Sequence, residues 1–170
     1  DATEQRIRRA CNDDQQKEDY SGKKKQHTRK TQLVVNEDGI VRDLSHSSPG
    51  SKHDRKHFSD SGAAAKIPKE TTVGGDSGYQ GIQDDLPDHS VITPFKKSKL
   101  HPLSDEQKLL NQEFAQGRII VENTICQFKH FRVLADRFRH DVDKYDNAFR
   151  SVLAIVNPRI QKRVAAAVVA

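Results

Sequence analysis

The chain has 170 residues, 34% hydrophobic and 31% charged, with a formal net charge of +5 and a mean hydropathy of −0.84. That is enough for one domain whose core is concentrated in a few segments. No stretch approaches the roughly 20 apolar residues that span a bilayer, and the first ten residues lack the apolar centre of a signal peptide. The expected compartment is therefore the cytoplasm. Cys11 and Cys126 are the only cysteines and have no zinc-like or disulfide-framework spacing. The chain has no methionine and begins at Asp1, so it reads as a fragment. The positive excess sits late: residues 96–170 carry 14 Lys and Arg against 8 Asp and Glu, whereas residues 1–95 carry 15 against 16. A polyanion such as nucleic acid is the natural partner for that half.

In chain order, residues 5–26 are almost wholly polar and read as a long irregular excursion ending in Lys23, Lys24 and Lys25. The β-branched run 31–35, the turn signal at 36–39 and the run 40–44 predict a β-hairpin. Residues 48–51 break the chain, and 53–60 predict a short helix with Phe58 on its buried side. Short strands are expected around 71–73, closed by Gly74 and Gly75, and around 91–95. Ser104 followed by Gln107 is a capping box just after Pro102, with apolar helical periodicity from there to about Leu134. Gly117 inside that segment predicts a kink or a close backbone contact. A last helix over 145–156 is expected to stop at Asn157 and Pro158, and 161–170 reads as a helix or a loose tail. Strands first and helices later point to an α/β or α+β domain.

Residues 118–129 have apolar side chains nearly all round, the pattern of a largely buried helix. At about 100° per residue, Arg118, Glu122 and Lys129 share one narrow stripe. Such a stripe needs mutual pairing, a metal or an anionic ligand when it is buried. A solvated Arg118–Glu122 pair at i, i+4 accounts for it equally well.

The Arg-x3-Glu-x6-Lys spacing at Arg118, Glu122 and Lys129 resembles the signature around the third acidic residue of DDE transposases of bacterial insertion sequences. Residues 76–82 (DSGYQGI) are similar to the segment around the second acid, and residues 1–4 (DATE) to the segment around the first. Residues 20–32 and 48–54 also resemble family segments, so the likeness extends from Asp1 to about Asn157 in family order.

The resemblance implies an RNase H-like α/β fold, a mixed sheet flanked by helices, with the first central strand truncated and Asp1 left on a frayed end. It implies a catalytic domain over 1–160 with 161–170 as a C-terminal tail. The catalytic and metal-binding triad becomes Asp1, Asp76 and Glu122, holding two Mg²⁺ or Mn²⁺ ions. Hard carboxylate oxygens suit such ions, and a pair of ions supports in-line phosphodiester displacement. Arg118 and Lys129 are then the expected DNA contacts near the scissile phosphate. Lys23, Lys24, Lys25, Lys96, Lys97 and Lys99 are candidate phosphate contacts, or equally well ordinary solvated charge.

The expected activity is metal-dependent cleavage and strand transfer at transposon ends, with DNA ends and target as partners and a homo-oligomer on DNA. The isolated fragment is expected to be inactive. The alternative is a non-catalytic DNA-binding remnant or adapted protein that keeps the fold. The family signature often has a tyrosine three residues before the arginine, where this chain has Ala115. His53 and His57 have zinc-compatible helical spacing without further ligands and read as structural. The glycines at 74, 75, 78 and 81 do not form a phosphate loop.

Overall fold

The ten-residue strand β3 (Gln26–Val35) is the axis of the computed structural model, which describes residues 1–98 and 102–169. Along one edge of β3 runs β1 (Ala2–Arg6), antiparallel, from Ala2 opposite Gln32 to Arg6 opposite Thr28. Along the other edge, β2 (Tyr20–Ser21), β5 (Ser48–Pro49) and β4 (Val41–Leu44) each pair with it in turn, also antiparallel. A separate parallel pair is formed by β6 (Thr72–Gly74) and β7 (Ser90–Ile92). The helices are α1 (Asp13–Asp19), α2 (Asp54–Ser61), α3 (Asp105–Lys129), α4 (Arg132–Ala135) and α5 (Tyr145–Val169). The chain is thus mixed α/β with a mostly antiparallel sheet. None of the helices is long and apolar enough to cross a membrane among the described residues.

Successive side chains on a strand point to opposite faces, and β3 uses both. Leu33 and Val35 join the larger core with Phe128, Leu134, Tyr145, Phe149, Val152, Val156 and Ile160. Val34 joins the smaller core with Phe58, Tyr79, Ile82 and Leu86. In the larger core, ring centroids lie 5.1 Å apart for Phe138 and Tyr145, 5.3 Å for Tyr145 and Phe149, and 6.1 Å for Phe149 and Phe128.

The predicted hairpin forms. Gly39 takes a φ of +84°, which the turn needs and glycine alone adopts without strain. The Asn36 side chain accepts from the Ile40 amide. The helix around Phe58 forms as α2 and ends at Gly62 in the left-handed region. Ser104 and Gln107 close the capping box that starts α3. Ser104→Ala is expected to cost about 1 kcal/mol, measured by urea unfolding; an unchanged midpoint would contradict it.

Five expectations are corrected. The polar tract 5–26 holds the end of β1, α1 and β2, because ladder bonds to β3 and the Asn12 side-chain cap supply order that hydrophobic periodicity does not signal. At Gly117 nothing lies within 4 Å of an added Cβ, and α3 runs through it unbroken. α3 itself is mostly exposed, with only Thr124 and Phe128 buried and Ile119 50% exposed, since a single stripe meets the core. It ends at Lys129, and α4 follows as a separate turn. Finally, α5 does not stop at Pro158 but continues to Val169. Proline removes one ladder donor there. Buried Val152, Val156 and Ile160 hold the helix to the core on both sides, while Asn157 bonds both the amide and the carbonyl of Val41, at 3.0 and 2.9 Å.

His57, of the zinc-spaced pair, is buried. Its Nε2 faces the carbonyl oxygen of His46 at 3.0 Å, and its Nδ1 lies 3.1 Å from the Ser48 hydroxyl. A carbonyl only accepts, so Nε2 carries the proton and Nδ1 accepts from Ser48. Burial lowers the His57 pKa below the usual value near 6.5, helped by the charges of Lys52 and Lys30 and opposed by the His46 hydrogen bond. The folded chain then binds fewer protons here than the unfolded one. Stability should therefore fall as pH drops through about 6.5. Thermal melts from pH 7.5 to 5.5 should show that slope reduced in His57→Asn; equal slopes would refute it.

Candidate active site

The three candidate acids sit on different parts of the fold: Asp1 before β1, Asp76 after β6 and Glu122 on α3. Asp1 is bonded to Leu33 in both directions, main-chain nitrogen to carbonyl at 3.1 Å and carbonyl to amide at 2.9 Å, so it extends the β1–β3 ladder and is not frayed. Asp76 follows β6 and caps the short turn 77–79, its Oδ1 accepting from the Gly78 amide at 2.7 Å. Asp1 and Asp76 line one cavity of about 320 Å³ with Glu4, Asp54, Lys23, Lys24, Lys30 and Lys129.

Glu122 stands outside that lining. Its link is Arg118, whose Nη2 lies 3.1 Å from Asp1 Oδ2 and 3.3 Å from Glu122 Oε1. The i, i+4 pair therefore exists, and it reaches across to the acid from β1. Among the described residues no group of three or more His, Cys, Asp and Glu side chains is placed to hold a metal ion.

Lys129 turns inward. Its Nζ donates to the Leu134 carbonyl at 2.8 Å and to the Glu4 carbonyl at 3.4 Å, tying α3 and the turn after it to the outer edge of β1. Burial, with the nearby Lys24 charge, pushes its pKa down to about 8. Lys23 and Lys24 stand in the turn between β2 and β3. Lys25 beside them has a φ of +54° and does not line the cavity. Lys96 and Lys97 are exposed on the segment after β7 and do not line the cavity. Lys99 lies outside the described residues.

Sequence reading missed Glu4, Lys30 and Asp54. Lys30 is 6% exposed, and its Nζ is 2.7 Å from Asp54 Oδ1, 3.6 Å from Glu4 Oε1 and 2.7 Å from the Lys52 carbonyl. Glu4 and Lys30 are direct cross-strand partners. An added Cβ on Gly78 would meet Asp54 Oδ2 at 2.9 Å and Asp76 Oδ1 at 3.0 Å, so these two carboxylates flank one glycine. All three lie in the family-like blocks 1–4, 20–32 and 48–54, but the period-2 polar series Thr28, Lys30, Gln32 by itself reads as a solvent face until a second layer covers it. That layer includes Tyr79, buried and hydrogen-bonded to Gln32 at 3.3 Å. Burial raises the Tyr79 pKa, reinforced by Asp54 and Asp76.

Comparison with known proteins gives two findings. The profile of the family described as DDE superfamily endonuclease matches residues 1–157. The chain is also 37% identical over 142 residues, 82% of its length, to the probable transposase for insertion sequence element IS702 of Microchaete diplosiphon. It spans about half of that relative, 49%. No solved structure matches the chain.

Proposed function

This chain belongs to the DDE superfamily of endonucleases, and we propose that it is the catalytic part of an insertion-sequence transposase, with Asp1, Asp76 and Glu122 as its acids. The observation that carries this reading is the pairing of Asp1 with Asp76 in one lysine-rimmed cavity while Arg118 joins Asp1 to Glu122. Asp1 and Asp76, distant in the sequence, thereby line one cavity, and Arg118 links Glu122 to Asp1 at its edge.

The donor set is chemically suited to a hard divalent cation, since all three side chains offer carboxylate oxygens. Asp1, Asp76 and Glu122 would hold two Mg²⁺ or Mn²⁺ ions, which when bound supply Lewis acidity at the scissile phosphoryl group and stabilise the departing oxygen. Arg118 then exchanges its carboxylate partners for phosphate oxygens, which its planar fork can grip bidentately. Lys129 acts as a fixed positive charge behind β1. Lys23 and Lys24 meet backbone phosphates at the rim, and Lys25, Lys96, Lys97 and Lys99 add contacts that do not read sequence. The substrates are transposon ends and target DNA, handled by a homo-oligomer assembled on DNA.

One observation favours a second reading, a DNA-binding protein without turnover: the Arg118 guanidinium occupies the space between Asp1 and Glu122. Because Asp1 is anchored to Leu33 and not frayed, the enzyme reading takes this chain itself as competent, contrary to the inactivity expected from sequence. Nicking of end-containing duplex in Mg²⁺ or Mn²⁺ separates the two readings. Nicking that is abolished by a chelator and by Asp76→Asn supports the enzyme. DNA binding with no nicking by the unaltered protein would replace it with the binding-only reading.

A further inference from the structure

We propose that the arginines around the far end of β1 form a second phosphate-contact surface, which carries the duplex away from the acid-lined cavity. This rests on the DNA-processing reading above and adds to it a surface that the sequence resemblance does not assign. The residues come from two distant segments, 6–9 and 129–140, and the fold brings them together. The Phe138 amide donates to the Arg6 carbonyl at 2.8 Å, Arg137 Nε to the Ile7 carbonyl at 3.3 Å, and Gln5 Nε2 to the carbonyls of Val133 and Asp136, both at 2.7 Å.

The charge is concentrated. These two segments hold seven Arg and Lys against one Asp, a net +6, while the whole chain carries +5. Arg6, Arg8, Arg9, Arg132, Arg137 and Arg139 are all exposed. Among the described residues only Arg132 has a carboxylate partner, Asp136 at 3.0 Å. Unpaired arginines crowded on one surface repel each other, and a polyanion relieves that repulsion. Guanidinium forks match phosphate oxygens.

The surface is also continuous with the cavity. Lys129 lines the cavity and bonds the Glu4 and Leu134 carbonyls, so it stands at the junction. Extended chain advances about 3.3 Å per residue, which puts Arg8, two residues past the end of β1, roughly 20 Å from Asp1. Duplex DNA covers that distance in about six base pairs. Charge complementarity and this continuity select DNA over other anionic partners.

The test neutralises side chains that hold nothing else. Arg6, Arg8 and Arg139 make no side-chain hydrogen bond or ion pair among the described residues. The triple variant Arg6→Gln, Arg8→Gln, Arg139→Gln is compared with an equal-charge control on α5, Arg150→Gln, Arg159→Gln, Lys162→Gln. Affinity for end-containing duplex is measured from 50 to 200 mM salt, with hydroxyl-radical footprints and thermal melts.

Three lost phosphate contacts should lower the salt slope by about 2.7, so the wild-type advantage shrinks about 40-fold across that range. The footprint should shorten at the distal end by about six base pairs, with the melt unchanged, while the control keeps the wild-type slope. Equal losses in both variants, or an unshortened footprint, would overturn the proposal. So would unchanged DNA affinity with lost binding to phosphatidylserine vesicles, which would make the surface a membrane contact. If the triple variant binds normally while Asp76→Asn still abolishes nicking, only this surface is refuted. If the unaltered protein neither binds nor nicks DNA, the functional reading falls with it.

Discussion

Lys30→Met should lower folding stability by about 3–5 kcal/mol, the usual cost of removing one partner from a buried charge cluster. Lys30 is 6% exposed in the middle of β3, and its ammonium faces Asp54, Glu4 and the Lys52 carbonyl at once. Methionine fills much the same volume, so the loss is electrostatic: two carboxylates remain without their cation beside Asp1 and Asp76. For a chain of this length the melting temperature should fall by roughly 10 °C. Asp54→Asn added to Lys30→Met should recover part of the loss, because it removes one of the stranded charges. Urea unfolding of the two single variants and the double variant gives the coupling directly. A loss below 1 kcal/mol for Lys30→Met would show that water reaches these carboxylates and that the cluster does not organise the cavity.

Glu122→Gln should abolish metal-dependent nicking while leaving the fold and DNA binding intact. The side chain of Glu122 is 57% exposed and pairs with Arg118, which keeps Asp1 when Glu122 is neutralised. An exposed pair of this kind contributes little, so stability should change by no more than about 0.5 kcal/mol. The amide retains the shape and loses the negative charge that a divalent ion requires. Removing a single preorganised electrostatic stabiliser costs about 10²–10³ in rate, and loss of an ion ligand should be at least that large. Single-turnover nicking in Mn²⁺, beside filter binding of the same DNA, measures both quantities. Full-rate nicking by Glu122→Gln would remove Glu122 from the acid set and turn attention to Asp54 and Glu4, which already line the cavity with Asp1 and Asp76.

Both predictions depend on residues that differ in how visible they were. Glu122 was legible through the Arg118, Glu122, Lys129 spacing only once its likeness to the family signature was added. Asp76 was legible only through the likeness of residues 76–82 to a family segment. Lys30 was not, since a lysine alternating with threonine and glutamine on a strand looks solvent-facing. It is buried only because α2 brings Asp54 over that face and β1 brings Glu4 into register. Likewise, the arginines at 6–9 and 132–139 lie far apart in the sequence and are joined in the fold by the Phe138 amide bond to the Arg6 carbonyl and the Arg137 side-chain bond to the Ile7 carbonyl.

The sequence by itself determined the features that depend on neighbouring residues: the hairpin with Gly39 at its turn, α2 with Phe58 inward, the capping box at Ser104, and the ordered motifs that belong to the DDE endonucleases. Tertiary structure decided what depends on partners far along the chain. β1 and β2 are strands because β3 offers them ladder bonds, and α3 is mostly exposed because only one stripe of it meets the core. α5 passes Pro158 because Tyr145, Phe149, Val152, Val156 and Ile160 continue one apolar stripe across it. A local rule prices the lost hydrogen bond correctly, but only the folded molecule supplies the packing that outweighs it.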